Sequence, residues 1–138
     1  MIYLLLGTNL GDRQWNLESA ISRIAGELKT DILYSDVMET EAVGFEGNDF
    51  LNQIIAFDSD IEPDELLDIC QRIEVEMGRP QHEAEYDGEG RRIYHNRIID
   101  IDILTFNDRV IATERLTVPH PQLEERPFVK EILKTLMI

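Results

Sequence analysis

The stretch NRIIDIDIL, residues 96–104, is an apolar, β-branched run that predicts a β-strand. Side chains of a strand alternate between two faces, so Asp100 and Asp102 share one face and the isoleucines around them share the other. Two carboxylates whose Cα atoms lie roughly 6.5–7 Å apart repel each other, and a cation such as Mg²⁺ removes that repulsion. The pair therefore indicates either a metal site or the solvated polar face of an edge strand.

The whole chain has 138 residues, 43% of them hydrophobic and 30% charged, so we expect a single domain over residues 1–138. Its apolar runs are shorter than a membrane span, and MIYLLLG, residues 1–7, lacks the basic start of a signal peptide and predicts a first strand. Cys70 is the one cysteine, which excludes an intramolecular disulfide framework and a cysteine-based zinc site. These features predict a cytoplasmic protein with a buried thiol.

The charge of the chain is −15 overall but unevenly distributed, which argues against a broad basic surface for nucleic acid. Between residues 79 and 126 the sequence has seven arginines and no lysine. Arginine suits bidentate contacts to phosphate, so this third of the chain predicts a small phosphorylated ligand bound with a metal. The alternative is that these arginines pair with surface glutamates. We expect a monomer that binds small-molecule substrates and neither nucleic acid nor membrane.

Apolar periodicity and turn residues predict the remaining elements. A first helix is expected over Arg13–Leu28 with Asp12 as its N-cap, and a second begins at Pro63 and ends at Gly78. Strands are expected over residues 31–40 and 50–58, a long loop over 79–95, a short hairpin piece over 109–111 and a C-terminal helix. The order βαββαβ predicts an α+β, ferredoxin-like sandwich: a mainly antiparallel sheet with helices on one face plus a short C-terminal helical extension.

Two long motifs, RIIDIDIL at 97–104 and TERLTVPHP at 113–121, resemble the 6-hydroxymethyl-7,8-dihydropterin pyrophosphokinase family of folate biosynthesis. LGTNLGD, DFLN and QRIEVEMGR match that family in the same order and spacing, so the resemblance covers nearly the whole chain. It implies a ferredoxin-like fold and transfer of the β,γ-diphosphoryl group of ATP to the hydroxymethyl oxygen of the pterin, with release of AMP. Two alternatives remain on this fold: another Mg²⁺-dependent phosphoryl-transfer enzyme, or a non-catalytic ligand-binding module.

The resemblance also implies roles for individual residues. Asp100 and Asp102 would jointly hold two Mg²⁺ ions and act in catalysis together with Arg97. The expected ATP-binding residues are Gln71, Glu74, Arg79, Arg97, Ile103, Arg115, Thr117 and His120. For Gln71 and Glu74 a plain helix-surface role competes with this one. Arg91 and Arg92 are either a lid over the phosphates or solvated loop charges.

A pterin requires a flat slot with polar edges, and the resemblance assigns residues to both parts. Phe50 and Phe128 resemble the two aromatic side chains that sandwich the ring, although each also suits an ordinary core position. The expected pterin-binding residues are Thr40, Val43, Phe50, Asn52 and Phe128. Arg126 resembles a family position near the same pocket, with either a phosphate-binding or a structural role.

Overall fold

The computed structural model describes residues 1–41, 48–78 and 98–136, and eleven helices and strands lie within these ranges. In chain order they are β1 (Ile2–Thr8), α1 (Arg13–Leu28), β2 (Leu33–Tyr34), β3 (Met38–Thr40), β4 (Phe50–Phe57), α2 (Pro63–Glu76), β5 (Asp100–Phe106), β6 (Ile111–Ala112), β7 (Thr117–Val118), α3 (Gln122–Glu125) and α4 (Pro127–Leu133). No helix within the described ranges has the length and apolarity needed to span a bilayer.

The main sheet is antiparallel and has the strand order β2-β4-β1-β5, with β3 also paired to β4. Strand β1 is therefore central, and β5 is the outermost described strand on its side. Taking β2 and β3 together as the second strand, this is the βαββαβ arrangement that the sequence predicts. The α+β, ferredoxin-like fold class is confirmed.

The strand predicted over residues 31–40 is divided into two short strands at Ser35. There a side-chain hydroxyl takes the place of a backbone carbonyl in the hydrogen bonding to β4. The Ser35 amide donates to the Ile54 carbonyl oxygen at 2.9 Å. The Ser35 hydroxyl oxygen in turn accepts from the Ile54 amide, also at 2.9 Å. The side chain thus takes the bond that the backbone carbonyl makes in a regular strand, and β2 and β3 separate around it.

Helix α1 covers the predicted residues, and its first turn is closed by Asp12. An oxygen of the Asp12 carboxylate accepts from the Trp15 amide at 3.0 Å, which satisfies one of the unpaired N–H groups at the helix start. Helix α2 begins at Pro63, as predicted, and is followed by Gly78, whose φ of +112° few other residues adopt.

The two faces of the sheet bury separate apolar clusters. On the first face, called here the helix-pair face, α1 and α2 pack on alternate residues of β1, β4 and β5 such as Leu6, Ile55 and Ile101. On the opposite face, called here the α4 face, residues such as Leu5 and Ile54 pack with α4. The C-terminal extension that the sequence predicts therefore covers part of the second face.

Strand β5 contains a bulge that changes which face its residues meet. Leu4 lies opposite Ile103 while Tyr3 lies opposite Thr105, so Leu104 is the extra residue. Leu104 packs on the α4 face, and beyond it Phe106 returns to the helix-pair face. The strand predicted over residues 96–104 begins at Asp100 and runs to Phe106; residues 96 and 97 lie outside the described ranges.

Candidate active site

A row of three residues crosses the α4 face at the end of β1. Gly7 of β1 lies opposite Asn52 of β4 on one side and opposite Asp100 of β5 on the other. Because neighbouring strands are about 4.8 Å apart, the backbones of Asn52 and Asp100 are separated by roughly 10 Å. The residue between them has no side chain, so no side chain separates the amide from the carboxylate within this row.

Gly7 is closely approached by two of the predicted pterin residues. A Cβ atom built on Gly7 lies 3.5 Å from Oδ1 of Asn52 and 3.7 Å from Cδ1 of Phe50. Both distances are ordinary van der Waals contacts, so a methyl group fits there but occupies the space between the two side chains. Phe50 and Asn52 thus lie over the glycine, on the face expected from their i, i+2 spacing.

The amide of Asn52 has a defined orientation. Its side chain is only 3% exposed, and Nδ2 donates to the Met38 carbonyl oxygen at 3.1 Å and to Oγ1 of Thr40 at 2.9 Å. A carbonyl oxygen can only accept, so the nitrogen of the amide must face Met38. Oδ1 then lies on the side of Gly7, and it can only accept a hydrogen bond. The structure brings together Thr40 and Asn52, two of the residues expected to bind the pterin.

The acidic pair lies on this same face, as strand alternation predicts. Asp100 is opposite Gly7 and Asp102 is opposite Leu5, and both side chains are half-buried. Between them, the Ile101 amide points to the outer edge of β5 and donates to Oε2 of Glu74 at 2.8 Å. Glu74 is only 6% exposed, so it is not a helix-surface residue: it anchors the strand that holds the two aspartates to α2.

The donor set of the acidic pair suits magnesium. Within residues 1–41, 48–78 and 98–136 no group of three or more histidine, cysteine, aspartate or glutamate side chains is placed to hold a metal. Mg²⁺ does not need such a cage, because it typically binds one or two carboxylates and completes its shell with water and substrate phosphates. Asp100 and Asp102, two carboxylates on one face, fit that mode of binding.

His120 is held at the edge of β5 by its backbone and its ring. The His120 amide donates to the Leu104 carbonyl oxygen at 2.8 Å, at the bulge, and the preceding Val118–Pro119 peptide is cis. Nδ1 of the ring accepts from the Gln122 amide at 3.2 Å. With Nδ1 as the acceptor, this contact assigns the ring the tautomer that has its proton on Nε2.

Gln122 contacts the acidic pair directly, and sequence reasoning missed it. Its Nε2 donates to Oδ2 of Asp102 at 3.1 Å, and its Oε1 accepts from Nη1 of Arg126 at 3.1 Å. The Arg126 guanidinium in turn lies over the Phe128 ring, 4.5 Å from the centroid. The polar run 122–126 resembles an exposed turn, and the only sequence signal for Gln122 is its place two residues after His120.

The remaining predicted residues are more dispersed. Nη2 of Arg115 lies 2.6 Å from Oδ1 of Asp68 on α2, and that hydrogen bond raises the pKa of Arg115. Gln71 is exposed on α2 and Thr117 is exposed on β7. Ile103 is buried on the helix-pair face, so any contact it makes to ATP comes from its backbone. Five residues named above lie outside the described ranges: Val43, Arg79, Arg91, Arg92 and Arg97.

Cys70 is buried in the core under the helix pair, which confirms the predicted packing role. Burial raises the pKa of its thiol, and the negative charges of Glu74 and Asp102 raise it further. A thiol that stays protonated is a poor nucleophile. The structure therefore favours an inert Cys70.

Comparisons with known proteins identify the family of this chain. The sequence pattern of the family described as 7,8-dihydro-6-hydroxymethylpterin-pyrophosphokinase matches residues 3–137. Three curated relatives bear the name 2-amino-4-hydroxy-6-hydroxymethyldihydropteridine pyrophosphokinase. The protein of Porphyromonas gingivalis is 38% identical over 94% of this chain and 86% of its own. The protein of Bacillus subtilis is 36% identical over 92% of this chain and 72% of its own length. The protein of Aquifex aeolicus is 39% identical over 92% of this chain and 74% of its own length.

The fold, the acidic pair and these relatives together define an enzyme, an ATP-dependent transferase of the pyrophosphokinase class. Because the family match covers residues 3–137, the chain can be assigned to one family within this class. The chain belongs to the 7,8-dihydro-6-hydroxymethylpterin-pyrophosphokinase family.

Proposed function

We propose that the row Asn52–Gly7–Asp100 carries the family's reaction in this chain, transfer of a diphosphoryl group from ATP to 6-hydroxymethyl-7,8-dihydropterin in folate biosynthesis. The observation that carries the proposal is the register. In that register the Asn52 amide and the acidic pair share one face of the sheet, with a glycine between Asn52 and Asp100. The hydroxymethyl group of a pterin held at Asn52 is then directed toward the aspartates, where the phosphates of ATP are to be bound.

The reaction requires positioning and charge neutralisation rather than a covalent intermediate with the protein. The hydroxymethyl oxygen forms a bond to the β-phosphorus of ATP, and the bond from that phosphorus to the oxygen that leaves with AMP breaks. The hydroxyl proton passes to solvent. Two Mg²⁺ ions held by Asp100 and Asp102 would supply the positive charge that the phosphates need.

The proposed pterin-binding part of the site combines a hydrogen-bond acceptor with two aromatic rings. Both N–H groups of the Asn52 amide are used by Met38 and Thr40, so the amide recognises a ligand through Oδ1. An acceptor at this position fits the N–H groups on the edge of a pterin ring. Phe50 and Phe128 are both half-buried, so they have apolar surface to offer to a flat ligand as well as to the core.

The ATP end relies on donors near the edge of β5. The Nε2–H of His120 is a donor, because Nδ1 is occupied by the Gln122 amide. Arg115 lies with its partner Asp68 at the surface, where ion pairs are weak, so a phosphate can compete for the guanidinium. Gln71 and Thr117 complete the proposed contacts among the described residues, and Ile103 contributes its backbone.

A product assay tests the proposal. The protein is mixed with Mg²⁺, ATP and 6-hydroxymethyl-7,8-dihydropterin, and the nucleotides are separated. We expect AMP, formed only when the pterin is present. ADP in place of AMP would show single-phosphoryl transfer or hydrolysis, which is the alternative enzyme class, and binding of ATP without turnover would show a ligand-binding module.

We also propose that the chain acts as a single-domain, cytoplasmic monomer with small-molecule substrates alone. The net charge of −15 opposes binding to nucleic acid and to anionic membrane surfaces, and supports solubility without a partner. Light scattering at micromolar concentration should give the mass of one chain. A dimer mass that persists on dilution would contradict the proposed monomer.

A further inference from the structure

We infer that Gln122 is a positioning residue that couples the metal-binding carboxylates to the pterin slot. The inference rests on the proposed function and deepens it. Gln122 is the one residue in the described ranges whose side chain is hydrogen-bonded to both Asp102 and Arg126. The first of these belongs to the acidic pair, and the second lies against an aromatic ring assigned to the pterin.

The orientation of the Gln122 amide follows from its partners. A carboxylate oxygen can only accept and a guanidinium can only donate, so Nε2 must face Asp102 and Oε1 must face Arg126. The reversed amide satisfies neither neighbour. The observed hydrogen bonds, both 3.1 Å, have this orientation. Glutamine is therefore suited to link a negative and a positive side chain without adding a charge of its own.

Burial and backbone contacts make the link rigid. Gln122 is 6% exposed, and its backbone amide is bound to the His120 ring. The Arg126 amide donates to the Gln122 carbonyl oxygen at 3.0 Å, which closes the single turn of α3. Side chain and backbone are therefore held at both ends, and the position of Oδ2 of Asp102 depends on a group that cannot easily move.

The link connects the residues assigned to the metal with a residue assigned to the pterin. From Oδ2 of Asp102 it passes through Gln122 to the Arg126 guanidinium and then to the Phe128 ring, 4.5 Å from that guanidinium. Residues that hydrogen-bond a metal ligand orient it, and their loss typically weakens metal binding or activity by about 10- to 100-fold. Here the Gln122 side chain also orients the arginine beside the pterin slot. Loss of this side chain is therefore expected to weaken the binding of both Mg²⁺ and the pterin.

The test compares two buried glutamines. Gln122→Met keeps the length of the side chain and removes both hydrogen bonds. The matched control is Gln53→Met: Gln53 is 8% exposed, donates to the Ser35 carbonyl oxygen at 2.9 Å, and lies opposite Leu6 of the helix-pair face. Both variants lose buried hydrogen bonds and are expected to show a similar fall in melting temperature. Only Gln122→Met is expected to change the site.

The readout is equilibrium binding rather than turnover. With α,β-methylene-ATP, whose α–β bridge cannot be cleaved, the fluorescence of 6-hydroxymethylpterin reports its Kd. The same signal gives the Mg²⁺ concentration at half-maximal binding. For Gln122→Met we expect both quantities to rise about tenfold, and for Gln53→Met we expect both to stay within about twofold of wild type. A lower melting temperature with unchanged pterin and Mg²⁺ binding would overturn the inference.

A second variant keeps the test decisive if Gln122→Met does not fold. Arg126→Met breaks only the far end of the link, so the pterin Kd should rise by about tenfold while the Mg²⁺ requirement rises less. An unchanged pterin Kd in Arg126→Met would also overturn the inference. The wild-type product assay separates this result from failure of the proposed function: if wild type makes no AMP, the proposed function falls and the inference falls with it.

Discussion

The two faces of the sheet are built from the same strands, β1, β4 and β5, but they differ in how apolar residues are distributed. The helix-pair face is mostly apolar: one buried cluster contains Ile2, Leu4 and Leu6 of β1, Ile55 and Phe57 of β4, and Ile101 and Ile103 of β5. The buried Gln53, opposite Leu6, is a polar exception. The α4 face is apolar only at one end. Its other end contains the row of Asn52, Gly7 and Asp100.

This difference indicates that one face of the sheet mainly stabilises the fold, while the other face holds the residues of the candidate active site. Burial of apolar surface stabilises the fold, and the cluster on the helix-pair face supplies much of that buried surface. Because that core does not depend on the other face, β1 and β5 can carry a glycine and two carboxylates at positions where a core would have apolar side chains. Substitutions on the two faces should therefore change different measured quantities.

The largest expected effect is on turnover, from Asp102→Ala on the α4 face. Loss of a carboxylate that holds a catalytic metal removes several kcal/mol of transition-state stabilisation, so we expect AMP formation to fall by at least about 1,000-fold. The half-buried position predicts little change in melting temperature. Asp60→Ala, an exposed aspartate after β4, is the matched control. Activity within tenfold of wild type in Asp102→Ala would contradict the metal assignment.

The converse change is Ile55→Ala on the helix-pair face. Ile55 is fully buried, so removing its side chain should lower the free energy of unfolding by about 3 kcal/mol, which denaturant titration measures. The rate of AMP formation per folded molecule should be unchanged. Val110→Ala, at a side chain that is 81% exposed, should leave both quantities as they are. A loss of turnover in folded Ile55→Ala would show that the two faces are not independent.

Gly7→Ala tests the position between Asn52 and Asp100. The added methyl group makes only ordinary contacts, 3.5 Å to Asn52 and 3.7 Å to Phe50, so the protein should remain folded and equally stable. The same methyl group occupies pterin space, and we expect the pterin Kd to rise by about tenfold. Gly26→Ala is the control, because a Cβ there has no neighbour within 4 Å and α1 gains helix propensity. Unchanged pterin binding in Gly7→Ala would place the ligand elsewhere.

The smallest effect concerns pH and Cys70 under the helix pair. Burial raises the pKa of this thiol in the folded chain, whereas an unfolded cysteine ionises near pH 8.5. The folded state therefore retains a proton that the unfolded state loses, and stability should fall above pH 8.5 by up to about 1.4 kcal/mol per pH unit. Denaturant titrations between pH 7 and 10 should show a flatter profile for Cys70→Ala. Equal slopes in both proteins would contradict the raised pKa.

Local features of the sequence were sufficient to predict much of this architecture. The bounds of α1 follow from the Asp12 cap and the apolar period, and the shared face of Asp100 and Asp102 follows from strand alternation. Features that depend on distant partners were missed. The split near Ser35 depends on Ile54, which is 19 residues away.

Gln122 shows the same limit within the site itself. Its neighbours Glu124 and Glu125 are exposed, and nothing in the run 122–126 distinguishes it from them. It is buried because the preceding loop returns to β5 through the hydrogen bond from His120 to Leu104. In the sequence Gly7 is only the end of the predicted first strand and part of LGTNLGD, and its position between Asn52 and Asp100 depends on the register of three strands.

The outer edge of β5 has a consequence for how copies of this protein behave at high concentration. A bare strand edge offers N–H and C=O groups to which a strand from another molecule can add, and this is a common route to aggregation. Here the Ile101 amide is bound to Glu74 and the Leu104 carbonyl to the His120 amide. Two hydrogen bonds beside the candidate active site thus also occupy backbone groups at this edge, which makes those groups less available to a strand from another molecule.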